Sequence, residues 1–168
     1  LSDDECVELV VNAYKDFCDE ALLRPDYMVP HYFQSKINII TKRFQPAIES
    51  LTECLKLQPD FAGAYFMRAF CHFASKETFD VGEAYNDLKK MVGVLETGKY
   101  CTTSFEIKDS LEDEGKMLLA NGYYILAVLD NLLQDYDESL RFINNALTME
   151  PNDKDFLLAR CHLFYTLA

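Results

Sequence analysis

Two stretches of this chain repeat each other at a fixed spacing, and no other feature narrows its folding options as much. Ala13, Leu23, Pro25 and Asp26 recur 34 residues later as Ala47, Leu57, Pro59 and Asp60. A third copy follows further on, with Ser139, Ile143, Ala146 and Leu147 leading to Pro151 and Asn152. Each copy reads as an amphipathic helix stopped by Pro and an Asx residue, because Pro cannot continue a helix and Asp or Asn suits the turn. A unit this short cannot bury its apolar face alone, so its neighbours must stack on it. The spacing of Pro59 and Pro151 is 92 residues against 68 for two repeats, which leaves 24 residues of addition.

Composition agrees with stacked helices. Only 6 Gly and 5 Pro occur in 168 residues, too few for the many turns of an all-β chain. Sixteen basic against 28 acidic residues give a net charge of −12. That balance disfavours nucleic acid and anionic membrane surfaces as partners, since both call for basic patches. The acids gather at the start (Asp3 to Glu20), around Glu106–Glu114 and at Asp130–Glu138. They read either as solvated helix faces and first turns or as a docking face for a basic partner. The longest apolar run, Met117–Leu129, is broken by Asn121 and Gly122 and is too short to span a bilayer. Six cysteines at 6, 18, 54, 71, 101 and 161 form no zinc or redox spacing. They read as small buried hydrophobes of a reducing compartment, and the chain as cytoplasmic and a fragment of something longer.

In these residues the chain resembles the tetratricopeptide repeat family, whose unit is a pair of helices, A and B. The resemblance implies an all-α fold of stacked antiparallel helix pairs in a right-handed superhelix, one domain over 1–168 with about eight helices. The family's packing roles fall on Ser35, Phe44, Ala47, Leu51, Cys54 and Pro59 in residues 28–61, and on Ala127, Tyr136, Ser139, Ile143, Ala146 and Pro151 in residues 120–153. Residues 62–97 fit with Tyr65, Ala69, Phe79, Ala84, Leu88 and Met91 if about two residues are inserted near Lys76–Thr78. This copy departs from the pattern in lacking the closing Pro and in placing Met91 where a small residue is usual. Residues 4–24 read as helix B of a leading partial repeat and 154–168 as a terminal helix A. Between them, 98–119 is an inserted loop and helix extension, either a site of added function or a spacer. Ser110 with Asp113 resembles a capping box opening that extension, while Gly115 and Gly122 weaken it.

In this family the A helices line a concave face, and the resemblance places specific residues there. They are Tyr32, Lys36 and Ile39 in the first full copy and Phe66, Phe70 and Phe73 in the second. In the third they are Tyr124, Val128 and Asn131, and in the terminal helix Leu158, His162 and Tyr165. The site expected is therefore a partner-binding groove of Tyr32, Lys36, Phe66, Phe70, Phe73, Tyr124, Asn131 and His162. It holds a peptide or helix of a partner protein, basic or amphipathic in character. The alternative is that the aromatic stripe is core. Chaperone-binding members grip a terminal carboxylate with several cations; here only Lys36 is cationic, so that type is disfavoured.

Catalysis finds little support. Cys71-His72 and Cys161-His162 are adjacent pairs, but neighbours on a helix point about 100° apart, so the His cannot serve its own Cys. Histidines at 31, 72 and 162 make no metal site, and no glycine-rich phosphate loop is present. The reading is a non-enzymatic scaffold without cofactor or metal. The alternative is an assembly element that docks through open helical ends, with self-association through the terminal helix. That helix carries too many apolar residues for one buried face: Phe156, Leu157, Leu158, Leu163, Phe164 and Leu167.

Overall fold

The computed structural model describes residues 3–101, 107–108 and 112–167. Eight helices run through the described residues, and they fall into two compact units, Leu1–Ala84 and Tyr85–Ala168.

The first unit holds α1 (Asp3–Leu23), α2 (Met28–Ile40), α3 (Phe44–Leu57) and α4 (Ala62–Ala74), each packed on the next. The small residues expected at the helix crossings are there: Ser35, Ala47 and Cys54 are fully buried, and Ala69 is nearly so. Small side chains let backbones approach, and Leu51 and Phe61 fill the space between them. Ser35 Oγ turns back to donate to the Tyr32 carbonyl at 2.6 Å, which removes its polar demand from the core. Phe17 of α1 stacks on Phe33 of α2 with centroids 4.9 Å apart, and Gln34 Nε2 donates to the Phe17 carbonyl at 3.1 Å.

Helix α5 (Val81–Glu96) starts at Asp80, whose Oδ1 accepts from the Glu83 amide at 2.9 Å, the bond that closes an open helix start. The second unit holds the greater part of α5, then α6 (Asp113–Leu132), α7 (Tyr136–Met149) and α8 (Lys154–Leu167). Its core is Leu88, Met91, Leu95, Leu126, Ile143 and Ala146. Each fully buried large side chain of this kind contributes about 1.5–3 kcal/mol. Met91, large where the tetratricopeptide pattern has a small residue, is wholly buried, and α6 answers it with Gly122. A Cβ at Gly122 would collide with Met91 Cε and stand 3.1 Å from Val92 Cγ2.

The repeat is visible in the hydrogen bonds as well as in the letters. Arg43 N donates to the Asn38 carbonyl at 2.7 Å and Asp135 N to the Asp130 carbonyl at 2.8 Å, equivalent bonds that end α2 and α6. Lys42 and Gln134, also equivalent, both take left-handed backbone there, with φ of 58° and 64°. The inserted segment contains two short strands, β1 (Tyr100–Cys101) and β2 (Ile107–Lys108), paired antiparallel. Tyr100 is fully buried, and its hydroxyl accepts from the Glu112 amide at 3.1 Å.

Several expectations need correction. Helix α6 opens at Asp113 with Glu112 in the capping position and no side-chain cap, rather than at Ser110, which lies outside the described residues. Phe79, expected to close a helix by packing, is 60% exposed. Of the cysteines, Cys54, Cys71 and Cys101 are buried, but Cys6 and Cys161 are exposed.

Candidate functional site

The groove positions of the second unit converge. Tyr124, Val128 and Asn131 on α6, with Leu158 and His162 on α8, line one cavity of about 280 Å³. Its base is formed by Ser139 and Ile143 of α7, and Asp155 completes the α8 side. The spacing on α6 places these side chains on one helix face, since i, i+4 and i+7 share a face. Helix α8 stands in place because Asp153 caps it, its Oδ1 accepting from the amides of Asp155 and Phe156 at 2.9 and 3.0 Å. Phe156 and Leu163 are buried beneath, and the Tyr124 and Phe156 rings lie 5.1 Å apart.

The polar groups on this lining are the Tyr124 hydroxyl, the Asn131 amide, Ser139 Oγ, the Asp155 carboxylate and the His162 ring, donors and acceptors together. Ser139 Oγ already donates to the Ala127 carbonyl at 2.7 Å, so only its lone pairs remain on offer. Asn131 Oδ1 is buried with no hydrogen-bond partner. The Asp155 carboxylate is exposed, and no lysine or arginine lines the walls.

In the first unit the expected groove residues behave differently. Tyr32 is buried, 1% exposed, with its ring 4.9 Å from that of Phe61, so it is core and not a groove surface. A ring at this position is drawn inward by the aromatic that opens α4, a contact the helical spacing alone does not reveal. Lys36 lies above it, Nζ 5.0 Å from the Tyr32 centroid and 5.8 Å from that of Phe33. Phe66 is half-buried, whereas Phe70 is 49% and Phe73 36% exposed, and the Phe70 ring meets that of Phe44 edge-on at 6.4 Å.

Sequence reasoning missed Asp155, although it lies one turn before Leu158 on the same course. It also missed Asp130, which is 2% exposed on α6. Burial raises the Asp130 carboxyl above its ordinary range, with Asp135 and Glu138 adding to the shift, while a hydrogen bond from Tyr85 and the charge of Lys89 oppose it. The Tyr85 hydroxyl is in turn pushed up to about 12, chiefly by burial and then by that bond.

The thiol chemistry runs against nucleophilic catalysis at Cys71. Burial pushes its pKa up to about 11, the reverse of an activated thiol. His72 Nδ1 lies 3.1 Å from the Thr78 carbonyl, to which it donates, and Thr78 Oγ1 donates to the Cys71 carbonyl at 2.6 Å. Among the described residues no group of His, Cys, Asp or Glu is placed to hold a metal ion, and no helix is long and apolar enough to cross a membrane.

Antiparallel helix pairs repeated along the chain define the class, a helical-repeat protein. The tetratricopeptide repeat family matches residues 31–61, which are such a repeat, and the fold of the chain is the tetratricopeptide fold. Solved structures agree at this level. The chain is similar to the crystal structure of the MamA protein, at 15% identity over 92% of this chain and 74% of that one, with a TM-score of 0.65. It is similar to the Arabidopsis OM64 TPR domain at 20% identity, over 79% of this chain and 90% of that one, with a TM-score of 0.55. A third is the first TPR of Spaghetti (RPAP3) bound to the HSP90 peptide SRMEEVD, at 14% identity over 83% and 92%, TM-score 0.60. No curated protein sequence matches the chain.

Proposed function

We propose that the chain is a non-enzymatic interaction module that holds a peptide or helix of a partner protein on the faces of its A helices. The observation that carries this reading is the cavity between α6 and α8, where Tyr124, Val128, Asn131, Leu158 and His162 come together over α7. A concave site with apolar walls and a few polar groups is the ordinary form of a binding pocket. The neighbour bound to a peptide supports protein as the partner class. The net charge of −12 supports a basic or amphipathic segment. In the first unit, Phe70 and Phe73 offer aromatic surface of the type in which binding energy concentrates.

Selection of binders from a displayed random-peptide library, followed by affinity and melting measurements on Phe70→Ala and Leu158→Ala, tests this. The expected result is a set of binders whose affinity falls in at least one variant that melts as the parent does. No binders, or binders indifferent to both substitutions, would overturn it.

A second reading is favoured by the outer faces of α1 and α8. Val7, Leu9 and Val11 on the first, and Phe164, Tyr165 and Leu167 on the second, are exposed, Tyr165 to 87%. Such faces suit docking to further helices or to a second copy. Sedimentation over a range of concentrations separates this reading from a monomeric module.

A further inference from the structure

Resting on the second reading, in which the outer faces of α1 and α8 are docking faces, we propose that one occupant covers both: a second copy of this chain, whose α1 packs on α8 as helix B packs on helix A within a repeat. By register α8 is a helix A and α1 a helix B. The internal pairs show which face of a helix A its own helix B covers. Ser139 Oγ reaches the Ala127 carbonyl at 2.7 Å, the Tyr123 and Phe142 rings lie 6.0 Å apart, and Cys54 Sγ lies 3.8 Å from Met28 Sδ. Carried along the register to α8, that face is Lys154, Leu157 and Cys161, with Phe164 a turn further on. Carried to α1, its counterpart is Glu20, Asp16 and Ala13. Asn38 and Asp130, which stand where Phe164 does, are 0% and 2% exposed, whereas Phe164 is 52% exposed and Cys161 is exposed beside it. Ala13 is half-buried, although its counterparts Ala47 and Ser139 are buried.

Charge selects α1 for this place over any other helix B. At the outer end of the pair the internal repeats hold Met28 with Cys54, Ala62 with Met91 and Ala120 with Ala146. The two ends of the chain hold Lys154 and Glu20 there instead. Both members of an apolar pair are thus replaced, and by opposite charges, with Asp16 adding a second carboxylate one turn away. A helix B with an apolar residue at that position would cover Lys154 without a counter-charge, which is unfavourable. Glu20 bonds Arg24 of its own helix at 2.8 Å through Oε1, and an exposed carboxylate accepts from more than one donor. The contact joins unlike ends, so it is head-to-tail and continues from copy to copy as a ring or a filament.

The test uses the full chain. Sedimentation over a range of concentrations should show association, and Lys154→Glu or Glu20→Lys alone should weaken it at least about tenfold, since like charges then face each other. The double variant restores opposite charges and should regain most of the parent's association. Lys154→Glu puts an acid at the start of α8, where it favours the helix, so a loss of association there does not come from a frayed end. Ala13→Cys, oxidised with diamide, should give chains linked between residue 13 of one copy and Cys161 of the next, identified by peptide mass mapping. Adding Cys161→Ser should abolish the link. Association without that link, or charge reversals that do not rescue each other, would overturn the proposal and leave the docking-face reading standing. A monomer at every concentration would overturn the proposal and remove a second copy from that reading, with further helices the remaining occupant.

Discussion

Replacing Gly122 by alanine should destabilise the protein although it improves a helix. In an open helical site the substitution gains about 1 kcal/mol, because glycine gives up more backbone freedom and has poor helix propensity. Gly93 on α5 is such a site, exposed and with nothing within 4 Å of where an alanine methyl would stand, so Gly93→Ala should gain about that amount. At Gly122 the new methyl would run into Met91 Cε and press on Val92 Cγ2 at 3.1 Å. Met91 ends in a flexible thioether, but it is wholly buried, and Val92 is 4% exposed, so neither has free space to enter. Overpacking of this kind costs about 1–3 kcal/mol. Set against the propensity gain, the net loss is about 0–2 kcal/mol, with a central value near 1. For a chain of this length that lowers the melting temperature by about 2–4 °C, while Gly93→Ala raises it by a similar amount. Thermal and urea unfolding followed by circular dichroism reads both. The sharper measurement is a cycle with Met91→Ala: alone that truncation should cost about 2–5 kcal/mol, and distinctly less in the Gly122→Ala background, where the methyl occupies part of the hole. Additive effects of Met91→Ala and Gly122→Ala, or a Gly122→Ala protein that gains as much stability as Gly93→Ala, would refute the close-packing account.

Three other outcomes are expected. Ala127→Leu should lower stability by about 1–3 kcal/mol, since Ala127 is 3% exposed at the crossing of α6 and α7; an unchanged melting curve would refute that placement. Asp130 holds its proton more tightly in the folded than in the unfolded chain, so its contribution to stability is fullest below the ordinary carboxylate range and falls as pH rises through its raised value. Asp130→Asn should therefore flatten the fall in urea-unfolding stability from mildly acid to neutral pH, and an undiminished slope would count against it. Finally, the acidic peptide SRMEEVD, bound by one structural neighbour, should bind this chain at least about tenfold more weakly than a basic amphipathic peptide of the same length, read by amide chemical-shift titration.

Much of the fold was legible because the repeat is written in residues that do geometric work. Pro59 and Pro151 end helices, and Ser35, Ala47, Ala127 and Ala146 mark close crossings, so the register of α2–α3 and of α6–α7 follows from the letters. Met91 and Gly122 were each visible as departures, one too large for its position and one too weak for its helix. Their meaning is joint, and a single sequence does not reveal which residue faces which across two helices. The site was legible in part for the same reason. The resemblance to the tetratricopeptide pattern placed Tyr124, Val128, Asn131, Leu158 and His162 on a common face, and they line one cavity. It also placed Tyr32 on a surface, where the ring of Phe61 instead draws it into the core. Asp130 gave no warning, because a carboxylate near a helix end ordinarily reads as solvated.

The bond from the Glu112 amide to the buried Tyr100 hydroxyl has a consequence for how this chain can grow. It fastens the inserted segment at both of its ends, one to the body of the second unit and the other to the start of α6. Once such a clasp is closed, lengthening the chain between its two halves adds only loop-closure entropy, about 0.6 kcal/mol for each doubling. Extra sequence entering there leaves the phase of α5 against α6 untouched, which an insertion into the short α2–α3 or α6–α7 turns would not.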